Sequence, residues 1–172
     1  EATMIDSGGH NTQAVYCYCR DHAAANVFAI KGDGKPGKPA IGKASNMDIN
    51  WRGRVLPRGV RLWPVGTDTI KHLLFGRLRL AQPGPGYIDL PAELRKTDEF
   101  EQLTAERLAT SFHKGHARLT WVKPNGKRNE ALDCFVYAYA GAVYLGAARM
   151  RENDWDRREQ KVQPREMDLF SV

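Results

Sequence analysis

The spacing of apolar positions changes several times along the chain, and each change predicts an element. Ala2-Thr3-Met4-Ile5 is an apolar run closed by Asp6, which predicts a buried strand over residues 2–6. Ser7-Gly8-Gly9-His10 turns the chain. Asn11 or Thr12 can cap a helix through about Ala24, with Val15, Tyr16 and Cys19 on its inner face. Asn26-Val27-Phe28-Ala29-Ile30 reads as a second strand, and strand, helix, strand at this length predicts a parallel unit. The Gly- and Pro-rich run from Gly32 to Pro39 predicts a mobile loop. Val55-Leu56 and Val60–Val65, around Pro57-Arg58-Gly59, predict a hairpin. Thr67 or Asp68 caps a helix from Thr69 to about Leu80, with Ile70, Leu73, Leu74, Arg77 and Leu78 at helical spacing. Tyr87–Leu90 reads as a short strand, Glu99 to about Ser111 as an amphipathic helix, and His116–Val122 as an alternating strand. Asn125-Gly126 then turns into a long apolar helix that starts near Glu130 and carries Phe135, Val136, Tyr139, Ala140, Val143 and Tyr144. After Arg149 the chain becomes charged, and a tail is expected from Gln163. Residues 1–150 thus read as one domain and 151–172 as a charged C-terminal segment. There is no internal repeat.

Composition narrows the function. No apolar run of about 18 residues exists to span a membrane. The net charge is +6, and it is concentrated. Lys31, Lys35, Lys38, Lys43, Arg52, Arg54, Arg58 and Arg61 face only Asp33 and Asp48 in that stretch. A localised basic excess suits a polyanion, most simply nucleic acid, although a solvated lysine-rich loop has the same composition. Cys17, Cys19 and Cys134 have no framework spacing and suggest free thiols in a reducing compartment.

Several motifs fail on context. Gly32-x-Gly34-x-x-Gly37 needs a helix to follow it, and Pro36 and Pro39 break one. Gly37-x-x-x-x-Gly42-Lys43 is followed by Ala44, where a phosphate-binding loop needs the Ser or Thr that holds Mg²⁺. Asp6-Ser7-Gly8 resembles an aspartic-protease turn, but helices surround it. His113-x-x-His116 sits in a basic loop and lacks the other zinc ligands. A carboxylate set remains: Asp6 at a strand end, with Glu130 and Asp133 at i and i+3 on one helix face. Acids in a first helical turn also complement the helix dipole, so the set is not specific alone. Carboxylates are the ligands of Mg²⁺ or Mn²⁺, and two such ions can cleave a phosphodiester. Asp68 is a further acid in reach, or a helix cap.

Four blocks carry a resemblance: Ile5–Tyr16, Val27–Gly32, Trp63–Lys71 and Arg128–Asp133. Together they resemble the C-terminal nuclease region of lambda-like phage terminase large subunits. That resemblance implies an α/β, RNase H-like mixed sheet flanked by helices, and a metal-dependent endonuclease that cuts concatemeric viral double-stranded DNA during packaging. It implies Asp6, Glu130 and Asp133 as catalytic residues holding two Mg²⁺ or Mn²⁺ ions. Lys31, Lys35, Lys38, Lys43 and Arg128 would contact DNA phosphates. The implied partners are the terminase ATPase domain, the small subunit and the portal or procapsid, in the host cytoplasm. In such folds the first catalytic Asp lies on a strand followed by two antiparallel strands. Here a helix follows Asp6 directly, so the first strands and their Asp are expected upstream of Glu1, and this chain is expected to be a fragment. The rival readings are a non-catalytic DNA-binding or packaging-assembly module, and another RNase H-like enzyme such as a transposase or junction resolvase.

Overall fold

The computed structural model describes residues 1–113 and 115–162, with Arg95 and His113 described by their backbone alone. Strand β1 (Thr3–Asp6), helix α1 (Thr12–Asp21) and strand β2 (Val27–Asp33) form the expected parallel unit, with Met4 opposite Phe28 and Asp6 opposite Ile30. Strands β3 (Ser45–Trp51) and β4 (Arg54–Gly66) complete a mixed sheet in the order β1-β2-β4-β3, in which only β3 runs antiparallel. Parallel β1, β2 and β4 therefore point their carboxyl ends the same way. This is the mixed α/β sheet that the resemblance implies.

Helix α2 (Thr67–Arg77) leaves β4 directly, and helix α4 (Glu130–Tyr144) lies beside it. Their buried faces share one core: Ile30 and Val65 from the sheet, Ile70 and Leu74 from α2, and Leu132, Val136 and Ala140 from α4. A second core lies under α1, where Tyr16 and Cys19 meet Ala29, Ile49 and Val60. Gly141 of α4 faces Met4 of β1, where a Cβ would make ordinary van der Waals contact with Met4 Cγ at 3.4 Å. At the far end of α4, Trp63 packs edge-to-face on both Phe28 and Tyr144, and Phe28 and Tyr144 meet tilted. Helix α5 (Glu152–Val162) is charged and solvated, and the tail expected from Gln163 lies outside the described residues.

Several expectations are corrected. β1 is a half-exposed edge strand rather than a buried one, because β2 is its sole partner among the described residues. The β3–β4 turn falls at Arg52-Gly53, both with positive φ, and not at Pro57–Gly59. Pro57–Gly59 instead form a bulge in β4, where Arg58 takes a positive φ and its N–H donates to Asp48 Oδ1 at 2.8 Å. Residues 87–90 form no strand, since flanking prolines cannot donate to a ladder; Ile88 and Leu90 still pack on the core. The helix expected over 99–111 stops early as α3 (Glu99–Leu103), where Thr104 Oγ1 donates back to Phe100 O. Beyond it β5 (Arg107–His113) pairs antiparallel with β6 (His116–Val122). The alternation Leu108, Thr110, Phe112 is a period of two, and it outweighs the acidic helical composition before it.

The loop is shorter than Gly32–Pro39, since Gly32 and Asp33 belong to β2, and its later part is tied to the end of β4. Gly42 N–H donates to Pro64 O, Gly66 N–H to Pro39 O, and Thr69 Oγ1–H to Lys38 O. A Cβ at Gly66 would lie 2.4 Å from Pro39 O, so the loop sits hard against the end of β4.

Candidate active site at the carboxyl edge of the sheet

Asp6 closes β1, and its Oδ1 accepts the Gly8 N–H at 3.0 Å, which orients the carboxylate over the turn. Ser7 anchors the same turn: its backbone N–H and its hydroxyl both donate to Ile30 O, at 2.9 and 2.8 Å. Asp133 reaches toward this strand end from the first turns of α4. Asp6, Asp133, Glu130, Cys134 and Tyr137 line one open cavity of about 860 Å³ along the free edge of β1.

Asp133 is held by groups outside the acid set that the sequence suggests. Lys71 Nζ lies 4.0 Å from its Oδ1, and Asn129 Nδ2 donates to its Oδ2 at 3.3 Å. Both groups also hold Glu106. Lys71 Nζ donates to both Glu106 oxygens at 2.7 Å, and Asn129 Nδ2 donates to Oε1 at 2.8 Å. Lys71 and Glu106 are buried. Asn129 stands at the cap position of α4, yet its side chain makes no cap hydrogen bond and spans the two acids instead.

Electrostatics follow from this packing. Partial burial pushes the Asp133 carboxyl above its ordinary range; Glu106 and Asp6 push the same way, and Lys71 pulls against them. Burial also raises the Tyr137 phenol, and the nearby Asp6 and Asp133 carboxylates raise it further. A Cβ on Gly32 would sit 3.1 Å from the Tyr137 hydroxyl, so that hydroxyl lies over the end of β2. Glu130 is different. Its own backbone N–H and then Arg128 hold it below the usual range, and its Oε2 accepts from Arg128 Nε at 3.2 Å in full solvent contact.

Asp6, Glu130 and Asp133 are thus brought to one cavity, and Asp68 is not among its lining residues. Asp68 is a buried residue of the first α2 turn, makes no cap hydrogen bond, and lies 3.7 Å from His72 Nδ1, to which Trp121 Nε1 donates. Lys31, Lys35, Lys38 and Lys43 are exposed. Lys38 lies 3.8 Å from Asp33, and Arg128 is shared between Glu130 and Asp98.

Sequence reasoning passed over Lys71, Glu106, Asn129 and Tyr137. Lys71 carried a signal: it lies three residues after Asp68 and three before Leu74, on the face that α2 buries. Glu106 carried none, because an uninterrupted helix would have left it in solvent.

The donor set suits a hard divalent cation. Two carboxylates from different elements face one cavity, and Mg²⁺ is commonly held by one or two carboxylates with water completing its shell. Among the described residues no group of three or more His, Cys, Asp or Glu is placed to hold a metal. No described helix is long and apolar enough to cross a membrane.

A mixed sheet flanked by helices, with acids gathered where its parallel strands end, defines an α/β protein whose candidate site lies at the carboxyl edge. Residues 1–155 match the family described as terminase large subunit gpA, endonuclease domain, and the chain belongs to that family. It is 38% identical over 144 residues to the large terminase subunit of Enterobacteria phage P21, covering 78% of this chain and 21% of that protein. It is 34% identical over 141 residues to the large terminase subunit of Escherichia phage lambda, with the same 78% and 21% coverage. The chain thus spans about a fifth of the length of these relatives. No solved structure matches it.

Proposed function

We propose that this chain is the metal-dependent endonuclease part of a phage terminase large subunit, which cuts concatemeric double-stranded DNA during packaging in the host cytoplasm. The observation that carries the reading is the convergence of Asp6 and Asp133 on one cavity at the strand ends, within a family described as an endonuclease domain. Asp6 and Asp133 would hold Mg²⁺ or Mn²⁺, which when bound polarises the phosphate and activates water. Gly8 fixes one oxygen of Asp6, and Asn129 and Lys71 fix both oxygens of Asp133, so the carboxylates are oriented before a ligand arrives. Glu130, an exposed residue of the cavity lining, would orient a water. Lys31 and the pinned loop from Lys35 to Lys43 would contact backbone phosphates, positioning duplex without reading its sequence. Arg128 would do the same from the other side. The ATPase domain, the small subunit and the portal or procapsid are the proposed partners of the longer protein.

The test is nicking of supercoiled plasmid with Mn²⁺. Asp6→Asn and Asp133→Asn should each lower the rate at least a hundredfold while folding is kept. Full-rate nicking by Asp133→Asn would sink the assignment. The second reading, a DNA-binding or assembly module, draws on the exposed lysines Lys31, Lys35, Lys38 and Lys43. It predicts salt-sensitive retention of duplex with no cutting under any metal.

A further inference from the structure

A second cavity, of about 310 Å³, lies at the foot of β2, where Val27 and Phe28 begin the strand. Arg20 from the last turn of α1, and Arg58 and Arg61 from β4, all line it, and no carboxylate does. Among the described residues none of these three arginines is in an ion pair. Asp48 meets Arg58 through the backbone N–H, which leaves the guanidinium unmatched. Arg58 holds a φ of 51°, a conformation that glycine takes freely and a long side chain takes at a cost. The Arg61 guanidinium lies over the Trp63 ring, 4.9 Å from its centroid. Trp63 is also part of the cavity wall, and its indole N–H is buried with no acceptor among the described residues. Arg20 suits the carbonyl end of α1, but that dipole accounts for one cation and not for three. The place is rich in positive charge and donors, and it lacks acceptors.

We propose that this cavity binds a phosphate monoester, at a site separate from the cleavage centre. A carboxylate offers its oxygens in one plane, which a single arginine fork satisfies. A tetrahedral phosphate offers oxygens in several directions and carries a charge of about minus 1.5 to minus 2 at neutral pH. It therefore suits guanidiniums that arrive from a helix and from a strand. A phosphodiester within a duplex carries one charge and is flanked by sugar on both sides. A terminal phosphate enters a small cavity end-on. The monoester can come from the 5′ end of a DNA strand or from a free nucleotide, and the chemistry of recognition is the same. The seven residues of β2, at about 3.3 Å each, place the cavity about 20 Å from the carboxyl edge. A ligand bound here does not touch Asp6 or Asp133, so the proposal is independent of the metal reading.

The experiment is a titration of the full 172-residue chain with inorganic phosphate in EDTA, which removes divalent ions. The readout is the indole N–H signal of Trp63 in a ¹⁵N–¹H NMR spectrum, assigned by its loss in Trp63→Phe. Phosphate should move that signal saturably, and sodium acetate at equal ionic strength should not. Arg58→Gly removes one guanidinium while easing the backbone, and Arg20→Gln removes another at the surface. Each should weaken phosphate binding about tenfold with the circular dichroism spectrum unchanged. Should Arg58→Gly fail to fold, Arg20→Gln carries the same test. A signal that acetate moves as far, or that phosphate moves equally in the folded variants, would overturn the proposal.

Competition then separates the two sources. Displacement of phosphate by a 5′-phosphorylated duplex, and not by the same duplex without its phosphate, supports a DNA end. Displacement by AMP and by neither duplex supports a free nucleotide. Equal displacement by both duplexes would show general attraction of a polyanion and would overturn the monoester assignment.

Discussion

Two acid–base pairs flank the first turn of α4, and they differ in nearly every physical respect. Lys71 and Glu106 meet at 2.7 Å with side chains 11% and 6% exposed. Arg128 and Glu130 meet at 3.2 Å with side chains 65% and 60% exposed. The first pair joins α2 to the start of β5 across the core, whereas the second closes over two residues at the surface. Burial decides what each can do. A dry pair cannot be opened without stranding a charge, so it fixes the chain around it. A wet pair exchanges freely with water and ions, so it tunes the local field and little else. Asp133 stands between the two, partly buried and answering to both environments.

The largest effect expected from breaking this comparison is on stability. Lys71→Met strands a buried carboxylate at Glu106 and should cost about 3–5 kcal/mol. Urea denaturation followed by circular dichroism would read this as a lower midpoint with an unchanged slope. Adding Glu106→Gln should recover most of the loss, because the charge left behind is then removed. A Lys71→Met loss below about 1 kcal/mol would place the pair in the same class as its exposed counterpart.

A smaller effect, with a defined sign, belongs to Asp133. Its folded carboxyl is raised above the usual aspartate value of about 4. The folded state therefore holds this proton more tightly than the unfolded state. Its stabilising contribution is present at low pH and is lost as pH rises through the folded value. At neutral pH without metal, Asp133→Asn should melt slightly above the unsubstituted chain, and the difference should close as pH falls below about 4. Added Mn²⁺ should reverse the order, since ligand binding to the folded state stabilises only the chain that binds it. An Asp133→Asn chain that melts lower at every pH would show that the carboxylate is held as a favourable ion pair with Lys71.

The same contrast explains what the sequence made legible. Periodicity revealed β1, α1, β2, α2 and α4 because each buries one face in a regular repeat. It therefore also placed Asp6, Glu130 and Asp133, which sit at the ends of those elements. It failed from Tyr87 to Ser111, where short acidic and proline-bearing segments pack through isolated contacts such as Ile88 and Leu90. Glu106 falls in that region, and its burial depends on α3 ending at Leu103 and β5 starting at Arg107. No local pattern encodes a partner 35 residues away in α2. Pinning of the basic loop was hidden for the same reason. Its glycines and prolines exclude regular structure, but the carbonyls of Lys38 and Pro39 still find donors on Gly66 and Thr69.

The exposed pair gives the smallest and most salt-sensitive effect. Glu130 lines the cavity, yet its charge is screened by water and shared with Arg128. Glu130→Gln should therefore leave the urea midpoint within measurement scatter and weaken Mn²⁺ binding by only about two- to threefold at low salt. At 1 M salt the screening length falls to about 3 Å, and the difference should vanish. Asp133→Asn should abolish binding at either salt, because a ligand contact is not screened. If Glu130→Gln instead lowers Mn²⁺ affinity a hundredfold and keeps that loss in high salt, Glu130 turns away from Arg128 to touch the ion directly. The contrast between a dry structural pair and a wet tuning pair would then fail on its exposed side.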